Sequence, residues 1–210
     1  MFQIFERINT SGRTLLPQEI RNCVYQGSFN STLIELNKIL PWRELYGLKQ
    51  PDSRMRDMEL ILRFLALDSG KIRSIKSKQI SLKKFLNEFM QEKSDDNNFL
   101  NLQTTKFKNV IDFIIVHIGS QAFHNISPKK PHNLVNKINP TIFDSIMIAT
   151  SFFLKNDENI EDLGNLEEKR LSLLKDEEYQ GLIRVRTTDI SRIIHRISLA
   201  SQYLYNSNYE

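Results

Sequence analysis

Apolar residues in this chain recur at three- and four-residue intervals in one segment after another, and that spacing is the property that most limits what it can fold into. An i, i+3, i+4 pattern lines one face of an α-helix, whereas a half-buried strand needs strict alternation. Pro17 can open a helix at no hydrogen-bond cost, and Gly27 closes it. Phe29, Leu33, Leu36 and Leu40 line the next, which Pro41-Trp42 breaks. Asp52 or Ser53 can cap a helix with Met58, Ile61, Leu62 and Leu65 on one face and Arg56, Glu59 and Arg63 on the other. Leu82, Phe85, Leu86 and Phe89 repeat the pattern, followed by a polar loop from Ser94 to Asn98. Another helix carries Phe107, Val110, Ile111, Ile114 and Ile118 and ends near Gly119.

Asn139-Pro140 pairs a capping side chain with a first-turn proline, ahead of Phe143, Ile146, Met147, Thr150 and Phe153 or Leu154. Leu163, Leu166, Leu171 and Leu174 mark a looser acidic helix. Thr187-Thr188-Asp189 precedes a last one, with Ile190, Ile193, Ile194, Ile197 and Leu204 on one face and Arg192, His195 and Arg196 on the other. With a short helix from Met1 to about Asn9, the pattern predicts about eight helices and an all-α, multi-helix bundle-like domain. Between Gln121 and Asn139 the periodicity lapses, and Ser127-Pro128-Lys129-Lys130-Pro131 reads as an extended connection. Leu182 to Arg186 comes nearest to a strand but is short. No repeat of fixed period suggests a solenoid.

The 210 residues suffice for a sizeable core without disulfides, and the lone Cys23 excludes both an internal bridge and a cysteine zinc site. A reducing, cytoplasmic setting is the expectation. The longest apolar run, Phe113 to Val116, is far below the roughly 20 residues of a bilayer-spanning helix, and the N-terminus lacks a secretory pattern, so no membrane partner is expected. A net charge of +4 is too small by itself to argue for nucleic acid, so distribution must decide.

The most informative stretch runs Phe5-Glu6-Arg7-Ile8-Asn9-Thr10-Ser11-Gly12-Arg13-Thr14-Leu15-Leu16-Pro17-Gln18-Glu19-Ile20-Arg21-Asn22. It reads as a helix end, a turn and a new helix, with Asn9 and Gly12 suited to positive φ and Glu19 favoured by the dipole of a first turn. Polar groups crowd this turn, which suits phosphate or a hydrated metal as well as capping and core ion pairs.

This stretch resembles the F-x-R-I-N-x-x-G-x-x-L-x-x-x-E-I-R-N signature of the GmrSD-type restriction endonuclease N-terminal domain family, whose fold is similar to the ParB and sulfiredoxin-like nuclease domain. The likeness continues through Tyr25-Gln26-Gly27-Ser28-Phe29 and the segment Arg54 to Leu67. It extends more loosely to Asn139-Pro140-Thr141-Ile142-Phe143-Asp144 and Arg192-Ile193-Ile194-His195-Arg196-Ile197. The resemblance implies nucleotide-dependent cleavage of modified or foreign DNA in phage defence, with NTP and Mg as cofactors. It also implies Arg7, Asn9 and Gly12 as nucleotide- or phosphate-binding candidates. In the family a D-G-Q-Q-R motif upstream supplies the hydrolytic residues; none occurs here, nor does a His-Asn-His-type nuclease domain. Residues 1–67 then match the rear part of the family domain, a turn-helix left over from a ParB-like α/β fold, and residues 68–210 its helical extension. Such a chain is expected to need no cofactor by itself, to be inactive alone, and to pack against a ParB-like catalytic half or nuclease chain.

Other constellations are weaker. Lys71, Arg73, Lys76, Lys78, Lys83 and Lys84 form an acid-free basic run that could neutralise phosphates of DNA, or simply be a solvated linker. Arg192 and Arg196, one turn apart, are further DNA-binding candidates beside Arg184 and Arg186. The acidic stretch Asp157 to Glu178 offers either cluster an internal partner. His117, His124, His132 and His195 lack ligand spacing, so no metal site is expected, and no P-loop, dinucleotide-binding turn or nucleophile elbow appears.

Overall fold

A computed structural model of the chain describes residues 14–94, 96–130, 133–156 and 163–209. Among them are α1 (Pro17–Val24), α2 (Ser28–Leu36), α3 (Leu40–Tyr46), α4 (Arg56–Asp68), α5 (Leu82–Glu92) and α6 (Asn97–His117). A hairpin of β1 (His124–Ile126) and β2 (Leu134–Ile138) follows, then α7 (Pro140–Lys155), α8 (Leu166–Lys175), α9 (Glu177–Arg184) and α10 (Ile190–Tyr205). The fold is a mostly all-α, multi-helix domain, as the periodicity predicts. The helix expected over Met1 to Asn9 lies outside the described residues.

Four departures have local causes. Pro41 does not end a helix; it sits in the first turn of α3, where its missing N–H costs nothing, and Gly47 at φ 79° closes that helix. The acidic segment forms two helices because the extended Asp176 ends α8 and starts α9, its carboxylate accepting from Tyr179 N at 2.7 Å. Leu182 to Arg184 therefore continues α9 and is not a strand. The strands lie in the aperiodic connection instead, antiparallel with His124 opposite Ile138; at three and five residues they are too short to show alternation.

The fourth departure sets the architecture. The segment carrying Arg56, Glu59 and Arg63 reads as two-faced, yet from Leu60 to Leu67 every residue of α4 is buried. α1, α2, α5, α6 and α7 all pack on it, so little of that stretch is left for water. Arg63 must consequently find an anion inside, which α7 provides in Asp144.

One core runs through the molecule. Trp42 is fully buried, edge-on to Phe107 and Phe143 at centroid distances of 5.9 and 5.7 Å, and its indole N–H donates to Asn37 Oδ1 at 2.9 Å. α7 lies against α10, where Phe153 stacks on Tyr205 at 4.5 Å. The buried hydroxyls of Tyr205 and Tyr179 meet Thr150 and Ser145, each at 2.6 Å, so neither of these phenols is left unsatisfied. No helix among the described residues is long and apolar enough to cross a membrane.

Candidate functional site

The start of α1 and the segment from Arg54 into α4 are tied together by charge. Glu19, in the first turn of α1, accepts from Leu16 N at 2.6 Å and from Arg54 Nε at 3.0 Å. Arg54 also donates through Nη2 to the carbonyl of Thr14 at 2.7 Å. Arg21, only 1% exposed, reaches Asn87 at 2.7 Å and both Gln18 and Glu59 at 3.0 Å. Burial lowers the pKa of Arg21 and the Glu59 carboxylate opposes that shift. Arg7, Asn9 and Gly12 fall outside the described residues.

Beside this network opens a groove of about 770 Å³. Gln18, Glu59 and Arg63 line it on the α1 and α4 side, Tyr46 and Arg56 at one end, and His124 at the hairpin. Tyr46 donates to Asp52 Oδ2 at 2.7 Å, and Arg56 donates to the same oxygen at 2.8 Å. Burial raises the Tyr46 pKa, and the bond to Asp52 raises it further. Burial also works to raise the Asp52 pKa, but hydrogen bonds from Arg56, Tyr46 and the Arg54 backbone outweigh it and bring the pKa down. His124 titrates below its ordinary 6.5, through burial first and then the nearby Arg170 charge.

Two polar atoms at this groove lack partners among the described residues. The Gln18 amide nitrogen and His124 Nδ1 are both buried and unbonded, on side chains that line the cavity. The groove thus combines fixed donors, fixed acceptors and apolar lining from Leu16, Leu45, Leu48, Leu60 and Ile138, the mix that binding surfaces use. No cluster of His, Cys, Asp and Glu that could hold a metal ion occurs among the described residues.

The basic run forms a short 3₁₀ turn, Lys71–Ser74, and an exposed loop leading to α5. Lys71 pairs with Glu92, Arg73 lies 4.6 Å over the Tyr209 ring, and Lys84 stands 3.7 Å from Glu88. Lys76 and Lys78 are exposed, with no carboxylate partner among the described residues. Lys83 is half-buried, its carbonyl receiving Arg21 Nη2 at 3.4 Å. Arg192 turns back to close α9, donating to Val185 O at 3.0 Å and Gly181 O at 2.7 Å. Arg196 is an interior residue, 1% exposed, bonded to Thr187 O at 2.8 Å and Asp144 at 3.4 Å. In this arrangement its guanidinium cannot meet a DNA phosphate at the surface. The reason is spacing: Arg196 stands three residues after Ile193 and four before Ala200, within the stripe that packs on α7.

Sequence reasoning missed the hairpin wall, whose polar groups come from the aperiodic connection, and it missed Asp144 as the partner of two arginines. A lone carboxylate between Phe143 and Ile146, in a mainly apolar helix with no other acid, was the signal available. Compared with known proteins, the chain matches no family model, no curated protein and no solved structure.

Proposed function

We propose that this chain is the helical half of a GmrSD-type, modification-dependent restriction system, completed by a ParB-like half or nuclease chain that brings the hydrolytic residues, and inactive alone. One observation carries the reading. The separate stretches of the resemblance each contribute charged residues to buried or partly buried ion pairs: Glu19 with Arg54, Arg21 with Glu59, and Asp144 with both Arg63 and Arg196. Residues that look like a family signature are thereby the ones that knit the scaffold. In this reading NTP and Mg are held where the partner meets the segment containing Arg7, Asn9 and Gly12, which leads into Thr14 and the Arg54 edge of the groove. The setting is the cytoplasm, where a free exposed thiol such as Cys23 is stable.

The test begins with the DNA upstream of the Met1 codon, sought for a D-G-Q-Q-R-like reading frame, and continues by co-expressing its product with this chain. Mg-dependent NTP hydrolysis and cleavage of modified phage DNA are expected only when both are present. Hydrolysis by this chain alone, abolished by Asn9→Ala, would replace the reading with that of an autonomous nuclease.

A second reading, DNA binding through the basic run, draws on the exposure of Arg73, Lys76 and Lys78 on one loop. It expects affinity that falls steeply with salt, and a log–log salt slope shallower by about 2 when Lys76 and Lys78 become alanine. No binding at about 50 mM salt removes it.

A further inference from the structure

Across Arg63 from the groove lies a second cavity, of about 340 Å³. Its walls include Arg63 of α4, Asn139 and Asp144 at the start of α7, and Thr187, Thr188 and Arg196 around the start of α10. That volume is at the small end of the range for small-molecule sites. Two guanidiniums and one carboxylate meet here, all at most 9% exposed.

Asp144 does not satisfy both arginines equally. It takes Arg63 Nε at 3.0 Å and Nη2 at 2.5 Å, but Arg196 Nη2 only at 3.4 Å. Arg196 Nε is buried and has no acceptor among the described residues. The other charges nearby are already engaged or apart: Glu59 pairs with Arg21, the Tyr179 hydroxyl meets Ser145, and Asp189 is not on the cavity wall. On the cavity wall itself one positive charge is therefore left over, and a buried cation with an unmade hydrogen bond is costly unless an anion joins it. Two helices of 16 residues also begin at this wall, directing the positive ends of their dipoles toward it. The side chain of Asp189, the residue before α10, makes no capping bond to it.

We propose that this cavity binds a small oxyanion of the phosphate class, free or as the phosphate of a small ester, gripped by Arg63 and Arg196 between the first turns of α7 and α10. The ligand draws Arg196 off its long bond to Asp144, the weakest contact in the triad, and offers Nε an acceptor. Asp144 stays with Arg63, so its negative charge is screened from the incoming anion. The site requires no second chain and does not depend on the restriction reading.

Calorimetric titration of the full chain with sodium phosphate, and separately with ribose 5-phosphate, at ionic strength held constant with chloride, tests this. One saturable equivalent is expected, weakened about tenfold or more in Arg196→Lys, which keeps the charge but loses the planar fork. In case Arg196→Lys fails to fold, the Arg196 Nε–H resonance of the unmutated, ¹⁵N-labelled chain is followed through the same titrations and is expected to move. Saturation by phosphate makes the free ion the ligand; saturation by the ester alone makes the ester the ligand, and either supports the site. An Arg196 signal unmoved by both, or unchanged affinity in a folded Arg196→Lys, overturns it.

Discussion

Two populations of cationic side chain divide this molecule. The run from Lys71 to Lys84 is mostly lysine, and its loop is mostly exposed. The interior holds Arg21, Arg43, Arg63, Arg170 and Arg196, none more than 9% exposed, and no lysine among the described residues. The division follows from chemistry. A guanidinium is weakly hydrated, stays charged when buried, and spreads its donors over several acceptors, whereas an ammonium is a strongly hydrated point charge. Arg43 shows the use made of that fork: one nitrogen serves Asn37 and Asp57, and another closes on Leu48 O at 2.9 Å. A count of charges along the sequence therefore says little about where they act; here the most conspicuous run stays at the surface, and scattered single arginines hold the interior.

The contrast can be broken most forcefully at Asp144. Asp144→Ala leaves two buried guanidiniums without their carboxylate, and a loss of about 3–5 kcal/mol in urea denaturation is expected. A loss below about 1 kcal/mol would show that the interior arginines are solvated or otherwise paired. A smaller effect comes from His124, which contrasts with the arginines because an imidazole can shed its charge. Burial, and then Arg170, hold its pKa below the ordinary 6.5. The unfolded chain thus takes up a proton that the folded one refuses, so its contribution is present above pH 6.5 and is lost as pH falls through that value. Melting temperatures measured from pH 7.5 down to 5.5 should fall less steeply in His124→Gln than in the unmutated protein. The least effect belongs to the exposed population: Lys76→Ala with Lys78→Ala should change stability by no more than about 0.5 kcal/mol. A larger loss would mean that the loop is part of the scaffold after all.

Much of the fold is legible in the sequence because helices announce themselves locally. Asn139-Pro140 starts α7 as expected, with the Asn139 side chain accepting from Thr141 N at 2.9 Å and Ile142 N at 3.3 Å. The basic run and the ordering of helices follow the same local rules. What local rules cannot supply is which neighbours surround a helix. α4 has charged residues at helical spacing, and only the helices packed around it make Arg63 internal. Arg196 was half legible: its place beside Ile193 and Ile197 marks the core stripe, but its charge argues for water until Asp144, 52 residues away, is brought beside it. The groove was the least legible part, since its walls meet only through tertiary packing of α1, α3, α4 and the hairpin.

Two backbone bonds fasten the basic loop to the threshold of the last helix, Ile80 N to Thr188 O and Ile190 N to Lys78 O, both 3.0 Å. They join segments separated by more than half the chain. A ribosome must therefore have passed Ile190 before these two bonds can form, and through most of synthesis the stretch around Lys78 does without them. For that interval the nascent chain trails its densest positive charge beside the polyanionic ribosome. Vectorial production, rather than the finished fold, is the stage at which this loop is most exposed to adventitious nucleic acid.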